Sequence, residues 1–205
     1  MIASSVSSTR AQYQSSCFVY GTLMASEVVQ ALIGRLPRFI PGVVLHNYVR
    51  HPVIGHVYPA VIPTDCIQND NDNNGIDTRN NKLFVEGLLL LNLSPSEMKV
   101  FDYFEDEGVD YICKRVNVQL PRTAVDIADV DASLMRKNSF AEGHIIETNA
   151  YIWALGKDKL DTTKQWDYDA FCKNSLDWYL EWTVIPCRKQ FLTGNCNDSY
   201  DWLES

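Results

Sequence analysis

The sequence predicts an α+β fold built as one domain, and three observations carry that prediction. Short apolar strand patterns recur along most of the chain, helical patterns are fewer, and 205 residues suit a single hydrophobic core. With 46% hydrophobic, 11% aromatic and 21% charged residues, there is enough apolar material for a sizeable core and no compositional case for global disorder.

Taken in chain order, residues 1–16 hold six serines, Arg10 and no acidic residue. They lack the apolar stretch of a secretory signal, resemble an organelle transit peptide only faintly, and are expected to form a disordered leader. Cys17-Phe18-Val19-Tyr20 is a short apolar strand run ending at Gly21. Ser26 can cap a helix through Leu32 that stops at Gly34. Val43–Leu45 and Tyr58–Ile62 are short strands, and Lys82–Leu93 alternates before becoming continuously apolar. Residues 64–81 include Asn-Asp-Asn-Asp-Asn-Asn-Gly at 69–75, too polar to pack, and are expected as a mobile exposed loop.

Ser94-Pro95-Ser96-Glu97 is the clearest local signal: a serine cap, proline at the first helical position, and a glutamate three residues after the cap that completes a capping box. The helix runs from Pro95 to about Asp106. Val116–Leu120 and Asn149–Leu155 are further strands, separated by a second soft insertion at 121–143 with a short helix near Asp131–Lys137. Trp166–Tyr179 carries helix-period apolar residues at Phe171, Leu176 and Tyr179.

Charge and cysteine content narrow the function classes. Eighteen Lys and Arg against 26 Asp and Glu give a net charge of −8, which disfavours a nucleic-acid or anionic membrane partner. No stretch of about 18 apolar residues exists, since Leu83–Leu93 is interrupted by Glu86 and Asn92. Cysteines 17, 66, 113, 172, 187 and 196 form no C-x-x-C pair and read as reduced thiols of a cytoplasmic protein; Cys187 and Cys196 are near enough in sequence to pair in an oxidising compartment. His46, His51 and His56, spaced by five, share no helical face, so no metal or other cofactor is expected.

Two constellations carry chemistry. On the helical wheel of residues 95–106, Met98, Val100, Phe101 and Phe104 form the apolar arc, and Glu105 falls on it between Met98 and Phe101; Lys99, Asp102 and Asp106 take the other side. An inward carboxylate is either paired with an Arg or Lys, or is an acid/base whose apolar surroundings (Phe101, Phe104, Tyr111) raise its pKa, and periodicity leaves both open. The second is Val19-Tyr20-Gly21-Thr22-Leu23-Met24, a strand breaking at glycine into a helix-prone stretch. Such a turn is either ordinary punctuation or a cradle of free backbone N–H groups that a ligand can approach closely. One glycine makes neither a P-loop nor a dinucleotide fingerprint.

These residues, with Leu45-His46-Asn47-Tyr48-Val49-Arg50, Gly55, Tyr58-Pro59-Ala60, Glu86-Gly87 and Phe101-Asp102-Tyr103-Phe104-Glu105, resemble the γ-glutamylcyclotransferase-like family in its AIG2-like branch. The order holds from about Cys17 to Val118, with a weaker continuation at Tyr151-Ile152-Trp153 and Trp166-Asp167-Tyr168. The resemblance implies a small mixed β-barrel with flanking α-helices over residues 17–205 and a site at the barrel mouth. It implies that Val19, Tyr20, Gly21, Thr22, Leu23 and Met24 bind the glutamyl group through backbone amides, with Glu105 as acid/base. It further implies a small-molecule γ-glutamyl substrate whose own α-amino group attacks the γ-carbonyl, closing 5-oxoproline and expelling an amine.

Two positions depart from the family pattern. Cys113, in Tyr111-Ile112-Cys113-Lys114-Arg115-Val116, and His56, in Gly55-His56-Val57-Tyr58, stand where an arginine is common. Both bear on contacts to the distal part of the substrate. They keep in view the alternative of a ligand-binding or stress-response module that retains the fold without turnover. Cys113 has no histidine near it in sequence and is expected as a packed thiol rather than a nucleophile.

Overall fold

A computed structural model describes residues 15–68, 83–121 and 143–194. Strands β1 (Ser15–Val19), β2 (Phe39–His46), β5 (Phe84–Leu93), β6 (Tyr111–Gln119) and β7 (Ile145–Trp153) close into a barrel in the order β1-β5-β2-β6-β7. β1 runs parallel to β7 and every other neighbouring pair is antiparallel, which makes the barrel mixed. Strands β3 (Tyr48–Pro52) and β4 (Pro59–Pro63) form a separate antiparallel ribbon. Helices α1 (Ser26–Ile33), α2 (Asp65–Gln68), α3 (Pro95–Phe104), α4 (Tyr168–Asn174), α5 (Leu176–Tyr179) and α6 (Ile185–Thr193) flank these sheets.

The two-residue period of the strands sorts the apolar side chains into two cores. Phe18, Val43, Leu45, Leu89, Val118, Ile146 and Ile152 fill the barrel interior. Their neighbours in sequence (Cys17, Val19, Leu90, Tyr151, Trp153) face outward and are covered by Val28 and Leu32 of α1 and Met98 and Phe101 of α3. Burying side chains of this size contributes about 1.5–3 kcal/mol each, so both layers are needed to hold the barrel shut.

Several expected elements differ in extent. β1 begins at Ser15, inside the expected leader: Ser16 is buried because its hydroxyl bonds that of Thr148 at 2.7 Å. The rest of the leader lies outside the described residues, as do Cys196, residues 69–82 and the expected helix at Asp131–Lys137. The segment expected as loop from Thr64 starts with the short helix α2. β3 was absent from the expectation, because Tyr48-Val49-Arg50-His51-Pro52 lacks alternation; register with β4 fixes it instead. The helix expected over Trp166–Tyr179 starts at Tyr168 and is broken at Ser175, and helical structure then continues through a π-turn (Leu180–Val184) into α6. Pro186 has no N–H to return to the previous turn, which accounts for the wider π-turn just before it.

One glycine sets how the strands bring the site together. A Cβ on Gly87 would lie 2.2 Å from the Val19 carbonyl oxygen, so only glycine lets β5 pass the end of β1. Immediately beyond that crossing the chain turns at Gly21.

Candidate active site

The turn after β1 is tied down from three sides. The Tyr20 hydroxyl donates to the Tyr151 carbonyl across the barrel, and Arg50 of β3 donates to the Tyr20 carbonyl at 2.6 Å. Arg50 is itself stacked over Trp166 at 5.3 Å. Pro59, at the start of β4, packs so closely on Gly21 that a Cβ there would meet its Cγ at 2.9 Å. A short 3-10 helix, Thr22–Met24, follows, with Met24 N–H donating to Gly21 O at 2.9 Å. As its first residues, Gly21, Thr22 and Leu23 have no backbone acceptor for their own N–H groups among the described residues.

Helix α3 supplies the carboxylate. Its start is the expected capping box: Glu97 N–H donates to Ser94 Oγ at 3.3 Å and Ser94 N–H to Glu97 Oε2 at 2.7 Å. From that fixed start, two and a half turns bring Glu105 to the C-terminal cap, where its N–H still donates to Phe101 O at 2.9 Å. Among the described residues no Lys or Arg pairs with its side chain. Burial alone pushes its pKa up from 4.5 to about 8. The residue is only half-buried by surface because it lines a cavity, but the wall around it is apolar and phenolic. Tyr20, Tyr111 and Tyr179 all feel its charge: burial first raises the pKa of each hydroxyl above the ordinary phenol range, and Glu105 adds to this at all three, behind Tyr20 in the case of Tyr111.

The cavity holds about 1240 Å³ and joins these parts. Val19, Tyr20, Gly21, Thr22, Leu23 and Glu105 all line it; Met24 does not, and instead packs half-buried against the core shared with α1. Phe18 and Tyr20, which belong to the core of the barrel interior, also line it, so the cavity adjoins that core. Tyr111 is fixed by donating to Pro59 O at 2.9 Å. The far wall comes from the C-terminal helical run, through Trp178, Tyr179, Trp182 and Cys187. Tyr179 is expected as a helix-period apolar residue, whereas Trp178, Trp182 and Cys187 carry no such expectation; two indoles spaced by four residues are the sequence signal that points to this wall.

The departures from the family pattern take definite places. His56 lines the cavity, stacked on Tyr58 with ring centroids 4.7 Å apart. Cys113 is half-buried, and burial, followed by Asp102 and Glu107, pushes its thiol up to about 11, the opposite of an activated nucleophile. Asp102, expected on the solvent side of α3, accepts from the Tyr151 hydroxyl at 2.7 Å. Among the described residues no group of three or more His, Cys, Asp or Glu could hold a metal ion, and no helix is long and apolar enough to cross a membrane.

Comparison with known proteins gives the same picture. A family model described as gamma-glutamyl cyclotransferase, AIG2-like, matches residues 17–170. AIG2-like protein D of Arabidopsis thaliana is 31% identical over 168 residues, covering 82% of this chain and 86% of the relative. AIG2-like protein C of the same plant is 29% identical over 175 residues, covering 85% and 76%. Among solved structures, a yeast gamma-glutamyl cyclotransferase specific to glutathione superposes with a TM-score of 0.50 at 13% identity, covering 86% of this chain and 96% of that one. At that identity the likeness is one of fold.

Proposed function

Because the chain belongs to the AIG2-like gamma-glutamyl cyclotransferase family, we propose that it cyclises the γ-glutamyl group of a γ-glutamyl amine or peptide to 5-oxoproline and releases the amine. The observation that carries this reading is one carboxylate with no Lys or Arg partner among the described residues, its pKa raised to about 8, lining the same cavity as Gly21, Thr22 and Leu23, whose amides have no backbone acceptor there.

The substrate brings its own nucleophile, so the protein must fold it, move protons and exclude water. The ionised Glu105 takes a proton from the substrate's α-ammonium. The freed amine attacks the γ-carbonyl carbon, a C–N bond forms, and negative charge develops on the carbonyl oxygen. Glu105 gives its proton to the leaving nitrogen, the original C–N bond breaks as the carbonyl re-forms, and the second proton of the ring nitrogen passes to the released amine, which departs as its ammonium and leaves Glu105 ionised. The amides at Gly21–Leu23 hold the α-carboxylate or the developing oxyanion. A pKa near 8 serves both halves, since the group must be a base first and an acid immediately after. Tyr111 and Tyr179 shape the space that makes the α-amino nitrogen curl back on the γ-carbon.

The test is release of 5-oxoproline by the purified chain from a panel spanning glutathione, γ-glutamyl amino acids and γ-glutamyl-lysine. Turnover of at least one member that disappears in Glu105→Gln is expected. Binding of these compounds without product from any of them contradicts the reading and favours a ligand-binding module.

A further inference from the structure

Beyond the reaction class, we infer that the leaving amine of the substrate is a large apolar group, of arylalkyl type, without a carboxylate; this rests on the cyclotransferase reading of the cavity. A γ-glutamyl group accounts for only a small part of a cavity of about 1240 Å³, so the remainder is available to the amine. Large apolar side chains line much of that remainder. Ile54, Val109, Leu155, Trp178 and Trp182 all line the cavity, yet remain 58%, 58%, 42%, 55% and 60% exposed. Five large apolar side chains left in water around one opening mark a binding surface rather than scattered exposure. The two indoles are four residues apart on one helical run, which puts them on nearly the same side.

Charge points the same way. A peptide-type leaving group such as that of glutathione or a γ-glutamyl amino acid carries a carboxylate and needs a cation to receive it. Among the described lining residues Lys159 is the one Lys or Arg, and its ammonium stands 3.9 Å from Asp158. Asp106 and Asp110 line the cavity alongside Glu105, so the opening repels a second anion. His56, where an arginine is common in the family, is stacked on Tyr58 and presents a further flat face. A γ-glutamyl arylalkylamide fits this lining: its aryl group stacks on indole and imidazole and buries the aliphatic rim, and the bound amide brings no second anion to the acidic side.

Calorimetric titration of the full-length Glu105→Gln chain, which retains the pocket without turnover, decides the inference. With γ-glutamyl-2-phenylethylamide and γ-glutamylglycine as probes, the aryl compound is expected to bind about ten-fold more tightly or better, and the ratio is expected to fall toward one in the Trp178→Ala/Trp182→Ala double variant. Equal affinities, preference for γ-glutamylglycine, or a ratio unmoved by loss of both indoles overturns it. 5-Oxoproline release by the unmodified chain is read in parallel and judges the reaction separately. Failure to turn over any amide removes the cyclotransferase reading, while the affinity ratio still decides what the cavity prefers.

Discussion

Helix α3 carries a glutamate at each end, and the two are treated in opposite ways. Glu97, in the first turn, accepts from Ser94 N–H and from both Nε and Nη2 of Arg35 at 2.6 and 2.8 Å. Partial burial pushes its pKa up, but the hydrogen bonds from Arg35 and from the Ser94 backbone and hydroxyl outweigh that and hold it below the ordinary carboxylate value. It also sits at the positive end of the helix dipole. Glu105, eight residues on, has the negative end of the same dipole, no Lys or Arg partner among the described residues, and a burial that lifts its pKa to about 8. The first carboxylate stabilises the fold; the second is held in a state that costs stability, as is common for groups at functional sites.

The contrast breaks most sharply on activity. Glu105→Gln keeps the shape of the side chain and removes its proton chemistry, so kcat is expected to fall by about 10²–10⁴, while Glu97→Gln leaves kcat within about two-fold. Steady-state assay of 5-oxoproline release measures both. Next in size is the pH dependence: the free protein must hold Glu105 ionised to accept a proton, so log kcat/KM should rise with a slope of about one up to pH 8 and turn down again once the substrate's α-ammonium loses its proton. A limb breaking near pH 4.5 would assign the base to an ordinary, solvated carboxylate.

Stability separates the two glutamates with opposite signs. Glu97 has a lowered folded pKa, so its contribution is present above the ordinary carboxylate value and is lost as pH falls through the folded one. Its replacement by Gln keeps a capping-box acceptor for Ser94 N–H and removes the ion pair with Arg35, about 0.5–1 kcal/mol or roughly 1–4 °C in Tm at neutral pH. Glu105 has a raised folded pKa: between 4.5 and about 8 the unfolded chain is ionised while the native one stays protonated, so stability falls as pH rises across that window. Glu105→Gln removes this loss. Its Tm should match the parent near pH 4.5 and exceed it by a few degrees, about 2–4 °C for each kcal/mol, above pH 8. Differential scanning calorimetry at the two pH values reads the sign directly.

How far the sequence reached depends on where each signal lies. The start of α3 was legible to the residue because Ser94, Pro95 and Glu97 act within one turn. The inward position of Glu105 followed from helical periodicity, but its lack of a partner did not, since that depends on Arg50 being drawn to the Tyr20 carbonyl and Arg35 to Glu97 rather than to Glu105. Strand cores such as Cys17–Val19 and Leu88–Leu91 were visible as apolar runs. Barrel closure came from the family resemblance alone, because the parallel β1–β7 contact joins residues about 130 positions apart and leaves no local trace. β3 lacks alternation and α6 opens on Pro186, so tertiary packing overrides the local pattern in both. Of the wall formed by Trp178, Trp182 and Cys187, Trp178 falls inside the expected helix, whereas Trp182 in the π-turn and Cys187 in α6 lie beyond its expected end at Tyr179.

The most direct test of the contrast is a carboxyl ¹³C NMR titration of glutamate-labelled protein, with Glu97→Gln and Glu105→Gln used to assign the two resonances. One midpoint near pH 8, absent from Glu105→Gln, and one below 4.5, absent from Glu97→Gln, are the predicted result. A Glu105 midpoint at or below 4.5 would show the carboxylate to be solvated or paired, and would remove the acid/base role assigned to it.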